Sequence, residues 1–313
     1  MAAILTITLN PALDVTTTTE RLRPQQKLRC NAPRFDPGGG GINVSRAIGE
    51  LGGDSRALVA LGGASGAQLR GLLEAEGLSF EVFPVEGETR FSLTVMEAAS
   101  GLHYRFVLPG PEQHVEFEDR LLARIGELVG PDCRFVVGSG SLLPGVAENF
   151  YGKLARLVAG RGARLVLDTH GAALRAAIES RPYLIRVNHL EAQELLGGRA
   201  GTAAHRLARD LVDRHFTEAA IVTLGDRGAI VATEGSETEI VPPHVTVRST
   251  VGAGDSFVGA LTLGLARGWP LVTAARYGVA AAAAAVTTEA TQLCEADRVA
   301  ELFAEIGGVI PSS

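Results

Sequence analysis

The sequence predicts an α/β fold in which a mostly parallel central sheet is covered by helices on both faces and carries a small β-sheet lid. Short Val/Ile/Leu runs bounded by Gly or Pro alternate along most of the chain with longer segments of helical period, the order expected of strand, crossover helix and next parallel strand. Two stretches, residues 12–36 and 88–108, break that order and alternate apolar with polar residues, as half-buried strands do.

ILTITL (4–9) reads as a first buried strand, and INVSRAIGEL (42–51) as a helix with Val44, Ala47, Ile48 and Leu51 on one face, stopping at Gly52. RALVAL (56–61) and AQLRGLLEAEG (67–77) repeat the pair. RFVVGS (134–139) with NFYGKLARLVAG (149–160), and RLVLD (164–168) with AALRAAI (172–178), do so again, followed by the strands YLIRV (183–187) and AAIVTL (219–224). AAAAAA (280–285) reads as a closely packed helix. In TRFSLTVMEAASGLHYRFVL the chain can reverse near Ser100 and Gly101 as a hairpin. We therefore expect a single domain, residues 1–313, with lid strands inserted at about 12–36 and 88–108.

The chain has 313 residues, 46% of them hydrophobic, with a net charge of −6, a composition that supports a soluble globular protein with a sizeable core. No basic block marks nucleic acid or an anionic membrane as a partner, so a small molecule is expected. No apolar run reaches the roughly 20 residues of a bilayer span, and MAAILTITL has neither a positive n-region nor a cleavage site. Cys30, Cys133 and Cys294 match no metal spacing and read as reduced thiols of a cytoplasmic protein. His103, His170, His189 and His244 are scattered and read as surface or internally satisfied residues.

Two glycine-rich stretches carry the chemistry. In VGAGDSF (251–257), Gly252, Ala253 and Gly254 let several N–H groups converge, and the following helix adds its positive end: an anion hole with Asp255 at its mouth. Asp255 is either a helix N-cap or a working acid. In DPGGGGINVSRAIGELGG (36–53), four glycines precede Asn43, a costly run that we read as room for a ligand to approach closely. Neither stretch is a P-loop or a dinucleotide fingerprint.

These residues resemble the ribokinase-like carbohydrate kinases of the phosphofructokinase B type. ITLNPALD, KLRCNAPRFDPGGGGINV, HYRFVLPG, VGSGSLLPG, TLGDRGA and STVGAGDSFVGA occur in the order of that family and span nearly the whole chain. The resemblance implies a ribokinase-like three-layer α/β/α domain, phosphoryl transfer from MgATP to a sugar hydroxyl, and a β lid that also forms a homodimer contact. Asp255 would be the base that accepts the hydroxyl proton, kept ionised by the helix end, with the amides of Gly252, Ala253 and Gly254 facing the transferred group. Asp14 would accept a sugar hydroxyl, assisted by Gly38, Gly39 and Asn43. Arg90 and Arg105 on the lid, and Ser139 at a strand end, would hold a phosphate already on the sugar. Lys27 and Arg29 would point from the other lid segment toward a neighbouring subunit.

RVNHLEAQEL resembles the family's Asn-x-x-Glu element, which implies that Asn188 and Glu191 organise Mg²⁺ through its water shell. Many relatives have Lys-Pro where this chain has Arg186 and Val187, so a cation is kept but the compact ammonium and the rigid proline are not. Thr223, Gly225 and Gly228 of TLGDRGA would hold the ATP phosphates, with a β-hairpin turn at Asp226 as the alternative. Ala290 stands where relatives often carry a glycine lining the adenine or a monovalent cation such as K⁺. Gly40 replaces the lysine usual in fructose-1-phosphate and tagatose-6-phosphate kinases, and GGGG together with KLRC resembles the 6-phosphofructokinase branch. The expected reaction is ATP-dependent phosphorylation of fructose 6-phosphate at its 1-hydroxyl. The alternatives are tagatose-6-phosphate kinase, 1-phosphofructokinase, and, from another class, a sugar-phosphate-binding regulator with weakened catalysis, a reading favoured by Arg186 and Val187.

Overall fold

A computed structural model describes residues 3–198, 201–288 and 292–311. Nine strands form the main sheet in the order β13-β12-β11-β10-β9-β8-β1-β4-β5. They are β1 (Ile4–Thr8), β4 (Arg56–Leu61), β5 (Phe80–Pro84), β8 (Phe135–Ser139), β9 (Arg164–Asp168), β10 (Leu184–Asn188), β11 (Ala219–Thr223), β12 (Ala229–Thr233) and β13 (Ser236–Ile240). All neighbours pair in parallel except β12 and β13, which close one edge antiparallel. The strands read as continuous apolar runs because both faces are covered: Phe135 and Val137 of β8 point to one core, Val136 to the other.

Helices α1 (Gly40–Glu50), α8 (Ala253–Ala266), α9 (Leu271–Ala285) and α10 (Ala296–Glu305) cover the first face. On the second lie α3 (Val115–Leu128), α4 (Phe150–Ala159), α5 (Gly171–Ala177) and α7 (Ala204–Asp213), with α6 (His189–Leu196) following β10; α2 (Gly63–Ala75) packs between β4 and the lid. The alanine run does what its small side chains permit. Ala280, Ala281, Ala284 and Ala285 are at most 1% exposed, and α9 lies close enough to α8 that a Cβ on Gly278 would stand 2.9 Å from the Phe257 carbonyl oxygen. Among the described residues no helix is long and apolar enough to cross a membrane.

The lid is a four-stranded sheet in the order β3-β2-β6-β7, built from β2 (Ala12–Thr19), β3 (Arg34–Gly38), β6 (Arg90–Glu97) and β7 (His103–Val107). The reversal before β7 falls where expected, with Gly101 at φ 71°. One expectation needs correction: residues 20–33 are not strand. Pro24 lacks an N–H for a ladder, Gln25 has φ 61°, and the segment instead hangs on the lid by the Asn31 amide, which donates to the Thr18 carbonyl (2.9 Å), and by Thr17 and Thr19 hydroxyls donating to the carbonyls of Asn31 and Arg29. Lys27 and Arg29 therefore ride on an exposed excursion rather than on a lid strand.

Candidate active site

From β1 the sheet grows one way through β4 and β5, and from β8 the other way through β9, β10 and β11. Open α/β sheets hold ligands outside the carboxyl ends of their strands at such a reversal. A cavity of about 360 Å³ lies there, with Asp14 on β2, Ser139 at the end of β8, Arg90 and Arg105 on the lid, Asn43 on α1 and Asp255 on α8 in its walls. A second cavity of about 370 Å³ adjoins it, lined by Thr223, Gly225 and Gly228 and by the apolar Val245, Phe257 and Ala283. The start of α8 stands between the two. Gly252 and Asp255 line the first, Ala253 and Gly254 the second, and Arg186 and Thr250 line both.

The glycine run, read in sequence as room for a ligand, is also room for neighbouring parts of the chain. Its close approaches are to the protein itself: a Cβ on Gly38 would run into the Asp14 carboxylate and one on Gly40 into Ser139 Oγ, while Gly39 has φ 130°. The run lets α1 start directly on the ends of β1 and β8, with Gly39 and Gly40 left in the cavity wall. Its effect is to set Asn43 opposite α8.

Asp255 is not the N-cap. Gly252 occupies that position with φ 76°, which puts Asp255 at the third residue of the helix with no capping bond from its side chain. Its Oδ2 accepts instead from Asn43 Nδ2 at 2.8 Å. Burial pushes its pKa up to about 7, nearby Asp168 pushes the same way, and Asn43, Arg186 and Arg105 oppose them. Burial and Asp168 thus work against the ionised form that the sequence led us to expect the helix end to hold. The amides of Ala253 and Gly254 lie in the first turn, where helix geometry supplies no carbonyl partner.

Around this centre, Arg186 Nη1 lies 3.2 Å from Asp168 Oδ1, while Arg186 Nε is buried without a hydrogen bond. Gly254 is bare for that reason: a Cβ would stand 3.0 Å from Arg186 Nη1. Asp14 is half-buried, and the loss of solvent pushes its carboxyl up while Arg105, Ser92 and Arg90 pull it back down; its Oδ1 is buried and accepts no hydrogen bond. Arg90 donates through Nε (3.2 Å) and Nη2 (3.1 Å) to the Asn10 carbonyl, and Arg105 Nε to Ser92 Oγ (3.4 Å). Asn188 and Glu191 form a capping box on α6: Asn188 Oδ1 accepts from the Glu191 amide (2.9 Å) and Glu191 Oε2 from the Asn188 amide (2.7 Å). Of the two, Glu191 lines the first cavity. TLGDRGA forms the hairpin read as the alternative: a 3₁₀ turn at Gly225–Arg227 joins β11 to β12, and its residues line the second cavity.

The chain matches the family described as "pfkB family carbohydrate kinase" over residues 7–298. It belongs to that family. Its relatives include the ATP-dependent 6-phosphofructokinase isozyme 2 of Mycobacterium tuberculosis, 42% identical over 302 residues, which are 96% of this chain and 88% of the relative. Phosphofructokinase-2 from Escherichia coli in complex with potassium has the same fold at a TM-score of 0.93 and 37% identity, covering 98% of this chain and 100% of that one. The same E. coli enzyme in complex with fructose-6-phosphate matches at 0.91 and 36%, with the same coverage. The ribokinase-like fold expected from sequence is the fold found.

Of the residues picked out on the family pattern, Asp14, Gly39, Asn43, Arg90, Arg105, Ser139, Arg186, Glu191, Gly252 and Asp255 line one cavity. Gly38 lies beneath Asp14, and Asn188 is occupied in capping α6. Lys27 and Arg29 do not reach either cavity of their own chain. Ala290 lies outside the described residues. Asp168 escaped the sequence reading, although the acid closing the apolar RLVLD run, paired in register with Ser139, was its signal. His170 and His244, read as bystanders, border the first and second cavities.

Proposed function

We propose that this chain is an ATP-dependent 6-phosphofructokinase that transfers the γ-phosphoryl group of MgATP to the 1-hydroxyl of fructose 6-phosphate, giving fructose 1,6-bisphosphate. The observation that carries the reading is the pair of cavities meeting at one helix start, with a half-buried acid on the charged side and a largely apolar wall on the other. The apolar cavity suits an adenosine moiety, with Thr223, Gly225 and Gly228 toward its phosphates. In the charged cavity Asp14 accepts sugar hydroxyls, Arg90 and Arg105 grip the 6-phosphate, and Ser139 adds a donor. Asp255 takes the proton of the 1-hydroxyl, while the amides at the start of α8 and the Arg186 guanidinium stabilise the group in transfer.

The donors fit a magnesium ion that keeps most of its water. Among the described residues no group of three His, Cys, Asp or Glu side chains is gathered to hold a metal, and Glu191 and Asp168 border the cavity singly. Held through its waters by Glu191 and Asp168, the ion would supply charge neutralisation. A monovalent cation such as potassium completes the proposed set, and cytoplasm, where ATP is available and Cys30, Cys133 and Cys294 stay free thiols, is the proposed place of work. An ADP-release assay over fructose 6-phosphate, tagatose 6-phosphate, fructose 1-phosphate and unphosphorylated fructose tests the reading, which expects fructose 6-phosphate to give the highest kcat/KM. Preference for another sugar phosphate selects one of the alternatives; binding without ADP release selects a regulator.

Two further outcomes follow from the site. A base whose pKa stands at about 7 in the free enzyme is half protonated there, so kcat/KM should fall about tenfold per pH unit below that value. A flat profile from pH about 5.5 to 8 would remove Asp255 from the proton transfer. The lid exposes Phe35, Phe91, Tyr104 and Phe106, the last at 51%, an apolar surface that a second copy would cover, bringing Lys27 and Arg29 toward its partner's cavity. Sedimentation should give a dimer, and Phe106→Glu should yield monomers with a raised KM for the sugar phosphate; a fully active wild-type monomer contradicts this arrangement.

A further inference from the structure

We infer that Arg46 is a positioning residue for the proposed base, acting by locking the side-chain amide of Asn43 in the orientation that presents its NH₂ group to Asp255. The inference rests on the assignment of Asp255 as the base. Asn43 and Arg46 are three residues apart on α1 and project from the same stripe, half-buried beside an otherwise apolar face. Arg46 Nη1 donates to Asn43 Oδ1 at 3.3 Å, and Asn43 Nδ2 donates to Asp255 Oδ2 at 2.8 Å. Arg46 is itself held by a two-pronged bond to Glu76 at the end of α2, Nε to Oε2 at 2.8 Å and Nη2 to Oε1 at 3.0 Å. The result is a continuous line from Glu76 through Arg46 and Asn43 to Asp255.

The two ends of an amide are chemically opposite, and which end faces a carboxyl group decides which form of that group is favoured. With NH₂ facing it, Asp255 is favoured as the carboxylate. Rotated by half a turn, Asn43 would offer Oδ1, an acceptor that suits the protonated acid, and Asp255, half-buried beside Asp168, is already inclined to protonate. Rotation would also set the NH₂ group against the Arg46 guanidinium, donor to donor. Arg46 therefore makes the wrong orientation costly, and without it the protonated acid gains a partner. The other charged groups acting on Asp255 are Asp168 from β9, Arg186 from β10 and Arg105 from β7. None of them contacts the Asn43 amide by hydrogen bond in the way Arg46 does, so they set the field while Arg46 sets the orientation.

The test compares wild type with Arg46→Ala, Arg46→Lys and Glu76→Gln. In Arg46→Ala the acid limb of kcat/KM should move up by about half a pH unit or more, so that activity is about three- to tenfold low near pH 6.5 and recovers toward wild type near pH 9. Arg46→Lys keeps a cationic donor for Asn43 Oδ1 and should restore most of the profile. Glu76→Gln loosens the fork and should move the limb the same way by less, which preserves the test if Arg46→Ala does not fold. In protein labelled with ¹⁵N-asparagine, the Asn43 side-chain resonance should follow the titration of Asp255 and report the same upward movement without any turnover, so the inference stands or falls independently of the substrate. A midpoint unchanged in all three variants, with a lowered melting temperature alone, would overturn it and leave Arg46 as a tie between α1 and α2.

Discussion

Asp255→Asn should lower kcat by about 10² to 10⁴ while both substrates still bind, because the amide keeps the shape of the side chain and cannot accept a proton. The usual structural objection, that an acid at a helix start is a cap, does not apply, since Gly252 is the N-cap and the Asp255 carboxylate bonds Asn43 instead. The same variant carries a stability signature. A carboxyl whose folded-state pKa is raised to about 7 from an ordinary 3.8 favours folding fully below the lower value, and that contribution is lost as pH rises through the higher one. Wild type is thus penalised above pH about 7 by an ionised, half-buried acid that Asn lacks. Asp255→Asn should melt higher than wild type near pH 8, with the difference shrinking as pH falls toward about 4. Near-normal turnover would assign the proton to another group.

Arg90→Ala should raise KM for fructose 6-phosphate roughly ten- to a hundredfold and leave KM for ATP nearly unchanged, the effect of losing one charge-assisted hydrogen bond of about 1.5 to 3 kcal/mol. Arg90 is oriented for this by its paired bonds to the Asn10 carbonyl, which engage Nε and Nη2 and leave Nη1 for the cavity. Arg105, anchored by one long bond to Ser92, should show the same selectivity with a smaller effect, because a less constrained side chain gives up more conformational freedom on binding. Equal weakening of both substrates by either variant would show that the lid supports the site as a whole rather than gripping the phosphate. Steady-state kinetics with each substrate varied in turn separates these outcomes.

The architecture could be read from sequence because it rests on periodicity. A strand buried on both faces leaves an unbroken apolar run, as in ILTITL and RLVLD, and the lid announces itself by alternation, with Asp14, Arg90 and Arg105 at the cavity while Leu13 and Phe106 face elsewhere. The members of the charged cavity were visible chiefly through the family pattern, since an arginine on a strand looks the same whether it faces solvent or a phosphate. What sequence could not convey was the direction in which local motifs are used. GGGG looked like space for a ligand, and it is also space for Asp14 and Ser139; Asn-x-x-Glu looked like a metal element, and it is also a capping box with one acid at the cavity. Asp168 and Arg46 went unread for a related reason. Asp168 faces Asp255 by its charge and Arg46 meets it only through the Asn43 amide, each across a long sequence separation.

If Asp255 takes the proton of the 1-hydroxyl of fructose 6-phosphate as that oxygen receives the phosphoryl group of ATP, ³¹P NMR of the reaction mixture should follow the transfer. Wild-type protein incubated with MgATP and fructose 6-phosphate should convert the single sugar-phosphate resonance into the pair belonging to fructose 1,6-bisphosphate, with ADP formed in equal amount, whereas Asp255→Asn at the same concentration should leave the spectrum nearly unchanged. Absence of the bisphosphate with wild type, or its formation at a comparable rate by the variant, would contradict the account.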